Sequence, residues 1–132
     1  MLKYMLDTNI AIYVIKRKPI SALEKFNQYA SQLCVSNITV AELIHGAEKS
    51  QNRKQAFTLV EDFLSRLSIL DYDYAAAGHY GDIRANLELK GTPIGVNDLH
   101  IAGHARSTGL ILVSNNLREF ERVEGLMLEN WT

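Results

Sequence analysis

The feature that most constrains the fold lies at residues 3–9, where the run Lys-Tyr-Met-Leu-Asp-Thr-Asn joins apolar residues to polar ones. The apolar part has the length and composition of a buried strand. It stops at Asp7, Thr8 and Asn9, which are good helix N-cap residues and also offer oxygen ligands. A helical pattern begins directly afterwards at Ile10. A strand that turns at once into a helix is the expected start of an open α/β domain, in which the chemistry gathers beyond the carboxyl ends of parallel strands.

The rest of the chain alternates short apolar runs with helical patterns. Further strands are predicted at residues 32–36, 68–70 and 110–113, with an edge strand at 126–128. The helix after the second strand is predicted to be capped by Asn37 or Thr39, and the helix before the fourth by Asn97 or Asp98. Trp131 is expected to fold back onto the core. This alternation predicts a doubly wound parallel sheet.

Composition and charge narrow the class of protein. With 132 residues, 47% of them hydrophobic and 22% charged, the chain is typical of one soluble globular domain. A net charge of -1 means that any binding to nucleic acid must depend on local basic patches. Asp7 interrupts the N-terminal apolar run, and no run approaches the roughly 20 residues that span a bilayer, so we expect a cytoplasmic protein without a membrane segment. Cys34, the only cysteine, excludes an intramolecular disulfide and is expected to be an inert buried thiol.

Carboxylates from distant parts of the sequence fall next to the predicted strand ends. Asp7 follows the first strand, Glu42 lies early in the helix after the second, and Asp98 lies near the start of the helix before the fourth. Asn116 follows the fourth strand, and Glu119 lies one helical turn later. In a right-handed parallel sheet these places lie at the same edge, so we expect the side chains to meet in one cleft.

Such a cluster favours a metal site, because apposed carboxylates repel one another and a divalent cation relieves the repulsion. Oxygen ligands without cysteine or histidine favour Mg²⁺ or Mn²⁺ over Zn²⁺, and the natural chemistry of the cluster is hydrolysis of a phosphodiester. The alternative interpretation is that Asp7, Asp98 and Asn116 are only helix N-caps. Glu42 fits that alternative poorly, because it lies inside the apolar pattern of its helix.

Four segments of the sequence resemble the PIN-domain ribonucleases, and more narrowly the VapC toxins of bacterial toxin–antitoxin pairs. They are the strand end Met-Leu-Asp-Thr-Asn at 5–9, Ile-Thr-Val-Ala-Glu-Leu-Ile-His-Gly at 38–46, Pro-Ile-Gly-Val-Asn-Asp-Leu-His-Ile-Ala at 93–102, and Val-Ser-Asn-Asn-Leu-Arg-Glu-Phe at 113–120. The resemblance runs from Met1 to Trp131, with the motifs in the family's order and at its separations.

The resemblance implies a PIN-like (Rossmann-like) three-layer α/β domain over residues 1–132, with a central parallel sheet of four to five strands. It implies a Mg²⁺- or Mn²⁺-dependent endoribonuclease that cuts structured RNA, such as a tRNA anticodon stem-loop, and so inhibits translation. It also implies a VapB-type antitoxin as partner, a homodimer that assembles further with the antitoxin, and operator DNA bound only through the antitoxin.

The same resemblance assigns roles to residues of the site. Asp7, Glu42 and Asp98 would be catalytic metal ligands, and Glu119 is a further candidate for both roles. Many PIN domains carry an aspartate where this chain has Asn116, which can coordinate through its carbonyl oxygen but adds no charge. This difference leaves open whether one or two metal ions act.

Four further side chains are predicted to lie near the RNA. Thr8 and Ser114 would place hydroxyl groups near the metal or its bound waters. Arg84 and Arg118 are predicted RNA contacts, because their helices should border the cleft.

Other motifs favour this interpretation less. His100 and His104 have a spacing that can bind zinc, but a third ligand and a catalytic glutamate between them are missing, so we expect surface or half-buried histidines.

An interaction module on a similar fold, such as a receiver domain or a catalytically dead PIN domain, is the alternative from another class. In a receiver, Asp71 would have to accept a phosphoryl group, but Glu129-Asn130 provides no lysine after the last strand.

The sequence lacks residues that two classes of phosphate-handling enzyme require, and both classes are therefore excluded. A phosphatase of the haloacid dehalogenase type needs a second aspartate two residues after the nucleophile, where Asn9 stands. A Walker-type ATPase needs a glycine-rich loop ending in lysine, and the sequence has none.

Overall fold

The computed structural model describes all residues from Met1 to Thr132 and contains five strands and seven α-helices. In chain order the elements are β1 (Tyr4–Leu6), α1 (Thr8–Lys16), α2 (Ile20–Gln28), β2 (Leu33–Ser36), α3 (Asn37–Glu48), α4 (Arg53–Leu64), β3 (Ser68–Leu70), α5 (Tyr74–Leu89), α6 (Val96–Thr108), β4 (Ile111–Val113), α7 (Leu117–Phe120) and β5 (Leu128–Glu129). A short 3₁₀ turn at Ala30–Gln32 leads into β2.

The strands form one parallel sheet in the order β3-β2-β1-β4-β5. β1 lies at the centre, and the chain returns to β4 on its other side after leaving through β2 and β3. The point where strand order reverses therefore lies between β1 and β4, which is where open α/β sheets place their sites. The predicted α/β class and the predicted strand number are confirmed.

Two apolar cores lie on opposite faces of the sheet, because successive side chains of a strand point to opposite sides. Tyr4 and Leu6 of β1 pack into the core formed with α1 to α4. Met5, between them, packs into the core formed with α5, α6 and α7. Both faces of the sheet are thus covered by helices, which explains why the strands read as continuous apolar runs and gives the three predicted layers.

Trp131 folds back onto the first core, as expected. Its ring meets those of Tyr4 and Tyr29, with centroids 5.3 and 5.8 Å away. The indole is buried and its N–H group has no hydrogen-bond partner. The contact is therefore held by apolar and aromatic packing.

Helices α5 and α6 approach each other closely at Gly103. A Cβ atom at this position would lie 2.8 Å from the backbone nitrogen of Tyr80 and 3.1 Å from the carbonyl oxygen of Ala76. Only a hydrogen atom fits there, so the absence of a side chain sets the distance between the two helices.

The helix N-caps differ from those predicted. α3 is capped by Ser36, whose hydroxyl accepts a hydrogen bond from the backbone N–H of Ile38 at 3.1 Å. Gly95 occupies the N-cap position of α6 without a side chain to offer. Predictions of caps at Asn37, Thr39, Asn97 or Asp98 were wrong, because the helices begin one or more residues earlier than the polar side chains indicate.

The longest helix, α5, has 16 residues. No helix combines the length and the apolar character that crossing a membrane requires.

Candidate active site

Asp7 lies at the centre of the carboxyl edge of the sheet and is only 3% exposed. Its backbone N–H donates to the carbonyl of Val113 at 3.0 Å, which extends the pairing of β1 with β4 by one residue. Its Oδ1 accepts from the backbone N–H of Ile10 at 2.9 Å and so caps α1. The buried Ser114 side chain, directly after β4, also hydrogen-bonds to this carboxylate. The carboxylate is thereby fixed at the reversal point of the strand order.

Glu42 reaches the same region from the second turn of α3. The hydroxyl of Thr8 lies 2.5 Å from its Oε1, and the amide nitrogen of Asn97 lies 3.1 Å from its Oε2. Thr8 also contacts the buried hydroxyl of Thr39 at 3.2 Å. Both oxygens of Glu42 are therefore held, one from the start of α1 and one from the start of α6.

Asp98 lies in the first turn of α6 and forms a group with two residues that follow β4. The Nδ2 atom of Asn116 lies 3.4 Å from Oδ2 of Asp98 and 2.7 Å from Oε2 of Glu119. Gly95 borders this group, since a Cβ atom there would lie 3.7 Å from Oδ2 of Asp98. Asn116 occupies the N-cap position of α7 but its side chain does not cap that helix.

The carboxylates influence one another electrostatically. Burial raises the pKa of the Asp7 carboxyl to about 6, and the negative charge of Glu42 adds to the rise, while hydrogen bonds from Ser114 and Ile10 oppose it. Burial also raises the pKa of Asp98 to about 7, with further contributions from Glu119, Asp7 and Glu42. Because the negative charges of Glu119, Asp7 and Glu42 all act on Asp98, the four acids lie near one another at the carboxyl edge of the sheet.

The donor set suits a hard divalent ion, because it consists of carboxylate oxygens with hydroxyl and amide groups around them. No three His, Cys, Asp or Glu side chains stand close enough together, as they are oriented, to form a ligand cluster. Two of the acids are instead engaged by neutral side chains: Thr8 and Asn97 contact Glu42, and Asn116 contacts Glu119.

The two arginines predicted to contact RNA lie in different settings. Arg84, on α5, is engaged with the hydroxyl of Tyr80 at 2.5 Å and with Glu88 at 3.4 Å, and contacts none of the four acids. Arg118 is exposed on α7 beside Glu119. Of the two predicted hydroxyls, Thr8 contacts Glu42 and Ser114 contacts Asp7.

His100 and His104 do not form a zinc pair. His104 is 1% exposed, contrary to the expectation of a surface or half-buried residue, and its Nδ1 lies 2.7 Å from the hydroxyl of Ser36. Burial lowers the pKa of His104, which favours the neutral ring. His100 is partly buried, with Nδ1 2.8 Å from the hydroxyl of Tyr72. The His104–Ser36 contact therefore joins α6 to the N-cap of α3. Asp98 lies on α6, and Glu42 lies on α3.

Nothing in the sequence pattern assigned Asn97 or Thr39 to the site. Asn97 was expected only as a helix cap, yet it tethers Glu42 across the cleft. Its position directly before Asp98 was the one available indication. Thr39 is buried beneath Thr8, at a position that the sequence pattern indicated only as a cap.

Comparison with known proteins first establishes the class. Residues 4–126 match the PIN domain. The match includes all seven helices and every strand except β5. The fold and the acidic cleft at the reversal point thus define a PIN domain.

Full-length relatives then establish the family. The chain is 64% identical over 131 residues to the ribonuclease VapC2 of Haemophilus influenzae, with 99% of each chain covered. It is 56% identical over 132 residues to the tRNA(fMet)-specific endonuclease VapC of Shigella flexneri, with both chains fully covered. It is also similar to the crystal structure of DNA-bound VapBC from Salmonella typhimurium, with a TM-score of 0.96, 55% identity and both chains fully covered. The chain belongs to the VapC family of PIN-domain ribonucleases, and it is an enzyme that acts on RNA.

Proposed function

We propose that this VapC ribonuclease is a Mg²⁺- or Mn²⁺-dependent endoribonuclease that inhibits translation by hydrolysing phosphodiester bonds in a structured RNA. The observation that carries the proposal is the gathering of Asp7, Glu42 and Asp98, from three separate parts of the chain, in one cleft where burial and the neighbouring negative charges raise the pKa of Asp7 and of Asp98. Such crowding destabilises the fold at neutral pH unless a cation offsets it. It is therefore better explained by function than by structure.

Asp7, Glu42 and Asp98 would hold the ion through their carboxylate oxygens, and Glu119 is a fourth candidate in the same cleft. When bound, a divalent ion supplies a water of lowered pKa and offsets the charge of the phosphoryl transition state. The chain itself supplies the orientation. The N-cap bond from Ile10 and the hydroxyl of Ser114 fix Asp7, while Thr8 and Asn97 fix both oxygens of Glu42.

The substrate class follows from the Shigella flexneri relative, which is named a tRNA(fMet)-specific endonuclease. At 56% identity over its full length, we infer a tRNA, cut in its anticodon stem-loop, as the substrate of this chain. Arg84 and Arg118 are proposed to contact the RNA backbone on either side of the cleft. A tRNA substrate implies that the enzyme acts in the cytoplasm.

The partner class follows from the VapBC complex of Salmonella typhimurium, which was crystallised bound to DNA. We infer a VapB-type antitoxin that covers the cleft of this chain, and a toxin homodimer within a larger assembly. Operator DNA would be bound through the antitoxin, because the toxin chain has a net charge of only -1.

The proposal is tested by incubating the purified chain with total tRNA in Mg²⁺ and sequencing the new RNA ends. We expect cleavage at one site in one or a few tRNAs, with none when EDTA replaces Mg²⁺ and none with Asp98→Asn. Asp73→Asn, which changes an exposed aspartate outside the cleft, is the matched control and should cut normally. Cleavage that persists in EDTA, or in Asp98→Asn, would contradict the proposed role of the acids.

A further inference from the structure

We propose that His104 is a positioning residue for RNA cleavage, because its buried hydrogen bond to Ser36 sets how α3 lies against α6. These two helices carry Glu42 and Asp98, so the same bond sets where the two acids stand relative to each other. His104 is 1% exposed and therefore acts through Ser36 and not on the RNA. The inference rests on the proposed function, since it concerns the rate of that cleavage.

Two side-chain hydrogen bonds join α6 to α3 and its N-cap, and they lie at opposite ends of the contact. At one end, Nδ1 of His104 lies 2.7 Å from the hydroxyl of Ser36. At the other end, the amide nitrogen of Asn97 lies 3.1 Å from Oε2 of Glu42. The two helices therefore run in opposite directions. Ser36 lies six residues before Glu42, and His104 lies the same number after Asp98. The His104 bond is thus separated from each acid by about 9 Å of helix.

The bond between His104 and Ser36 belongs to a buried junction of polar groups. Ser36 is fully buried, and its hydroxyl oxygen also accepts from the backbone N–H of Ile38 at 3.1 Å. The neutral His104 ring donates to the backbone of Asp71, directly after β3. Because that bond uses the one proton of the ring, Nδ1 accepts from the hydroxyl of Ser36. Removing either side chain would leave the other without its partner in the interior.

The two histidines with the spacing of a zinc pair both attach α6 to its neighbours. The hydroxyl of Tyr72 lies 2.8 Å from Nδ1 of His100. The Tyr72 ring meets those of His100 and His104 edge-on, with centroids 5.1 and 5.6 Å away. The backbone N–H of Tyr72 in turn donates to Oδ1 of Asn37, the first residue of α3, at 3.2 Å. Of the two histidines, His104 is the one that bonds to the N-cap of α3.

A small shift between α3 and α6 is enough to slow the reaction. A displacement of about 1 Å can lower the rate of an enzyme about 100-fold, even when the mutation lies far from the chemistry. Without the His104–Ser36 bond, the exposed bond of Asn97 to Glu42 would be the one side-chain hydrogen bond left between the two helices. RNA binding depends on groups at the surface, so we expect kcat to fall and KM to stay the same.

The experiment compares His104→Asn with His104→Gln in cleavage of the tRNA that the wild type cuts. Asn places its amide oxygen near the position of Nδ1 and can still accept from Ser36, whereas Gln reaches toward the other ring nitrogen. We expect kcat to fall about tenfold or more in His104→Gln and less than about threefold in His104→Asn, with KM within about twofold in both. Urea unfolding should show a similar loss of stability in the two variants.

Two further variants test whether this one bond is responsible. Ser36→Ala removes the other partner, and the double variant with His104→Gln should lose no more kcat than either single variant, because both changes break the same bond. His79→Gln is the matched control. Nδ1 of His79, on α5, accepts from Nε of Arg106 on α6 at 2.8 Å, a contact that does not reach α3. Its kcat should stay within about twofold of the wild type.

The outcomes separate this inference from the proposed function. A folded His104→Gln with the kcat of the wild type would overturn the inference and leave the nuclease intact. Equal losses of kcat in His104→Asn and His104→Gln would also overturn it, since a role in stability alone predicts them. If His104→Gln does not fold, Ser36→Ala decides the matter, and an unchanged kcat there contradicts the inference. A folded wild type that cuts no RNA would overturn the proposed function itself, and the inference with it.

Discussion

Two helices of this molecule begin with the same capping arrangement in opposite surroundings. Asp7 caps α1 and Asp73 caps α5, each through Oδ1 and the backbone N–H three residues ahead, and both distances are 2.9 Å. Asp73 is exposed, whereas Asp7 is buried beside Glu42 and Ser114. The local role of an aspartate at a helix start is thus the same in both, and only the long-range surroundings make one of them a candidate catalytic group.

The largest expected difference between the two caps is in activity. Asn accepts the same N–H bond as Asp, so Asp7→Asn and Asp73→Asn should both retain their helices. We expect Asp7→Asn to lower the rate of Mg²⁺-dependent RNA cleavage more than about 100-fold, beyond the 10–100-fold typical of residues that only support a ligand. Asp73→Asn should cleave within about twofold of the wild type. Equal losses in both variants, in a gel assay of labelled tRNA, would reduce Asp7 to a cap.

The next difference is in stability without divalent ions. Because the folded pKa of Asp7 is about 6 and the ordinary value is 3.8, the folded state binds the proton more tightly than the unfolded state. The contribution of Asp7 to stability is therefore greatest below pH 4 and falls as the pH rises from about 4 to about 7, by about 3 kcal/mol.

Asp7→Asn removes this penalty and keeps the cap. Urea unfolding in EDTA should show the variant about as stable as the wild type at pH 4, and more stable by about 2–3 kcal/mol at pH 8. Asp73→Asn should stay within about 0.5 kcal/mol of the wild type at both pH values. If Asp7→Asn were less stable than the wild type at pH 8, burial of the charged Asp7 carboxylate would not lower the free energy of unfolding as expected.

A smaller effect is expected from Thr8, which follows the first cap. Thr8→Val keeps the shape but removes the hydroxyl that contacts Glu42 at 2.5 Å. The affinity for Mn²⁺ should fall about tenfold, as is typical when a partner of a ligand is removed. The matched change Thr58→Val removes an exposed hydroxyl whose contact is with the carbonyl of Lys54 on the same helix, and Mn²⁺ affinity should not change. An unaltered affinity in Thr8→Val would remove Thr8 from the site.

The smallest effect separates the cap from the charge. Asp73→Ala loses the cap alone and should destabilise the protein by about 1 kcal/mol at any pH from 6 to 8. Asp7→Ala loses a similar cap but also a buried charge, so at pH 8 in EDTA its free energy of unfolding should equal or exceed that of the wild type. Two variants with the same loss, measured by urea unfolding, would mean that the two caps do not differ in surroundings.

The same contrast explains what the sequence predicted. β3 was predicted at its observed bounds. Strand order alone predicts that Asp7, Glu42 and Asp98 lie at one edge of the sheet, because the handedness of parallel connections fixes which strand ends lie together. The N-caps at Ser36 and Gly95 were missed, since a cap depends on where the chain leaves the strand and not on which polar residue stands nearby.

Contacts between residues far apart in the sequence were beyond prediction. The bonds of Asn97 to Glu42 and of Asn116 to Asp98 depend on side-chain rotamers that only the assembled cleft selects. The burial of His104 depends on how closely α6 approaches α3 and on the hydroxyl of Ser36, neither of which leaves a periodic signal. Periodicity locates the elements, whereas these short polar contacts set the details of the site.

The close approach at Gly103 has a consequence for how this enzyme can lose its activity. Even the single methyl group of Gly103→Ala would have to push α5 away from α6, at a cost of about 1–3 kcal/mol, and α6 carries Asp98 one and a half turns earlier. In a genetic screen for harmless versions of the gene, survivors should therefore fall into two groups. One group would alter the acids themselves, and the other would alter a hidden glycine that touches no substrate and bears no charge.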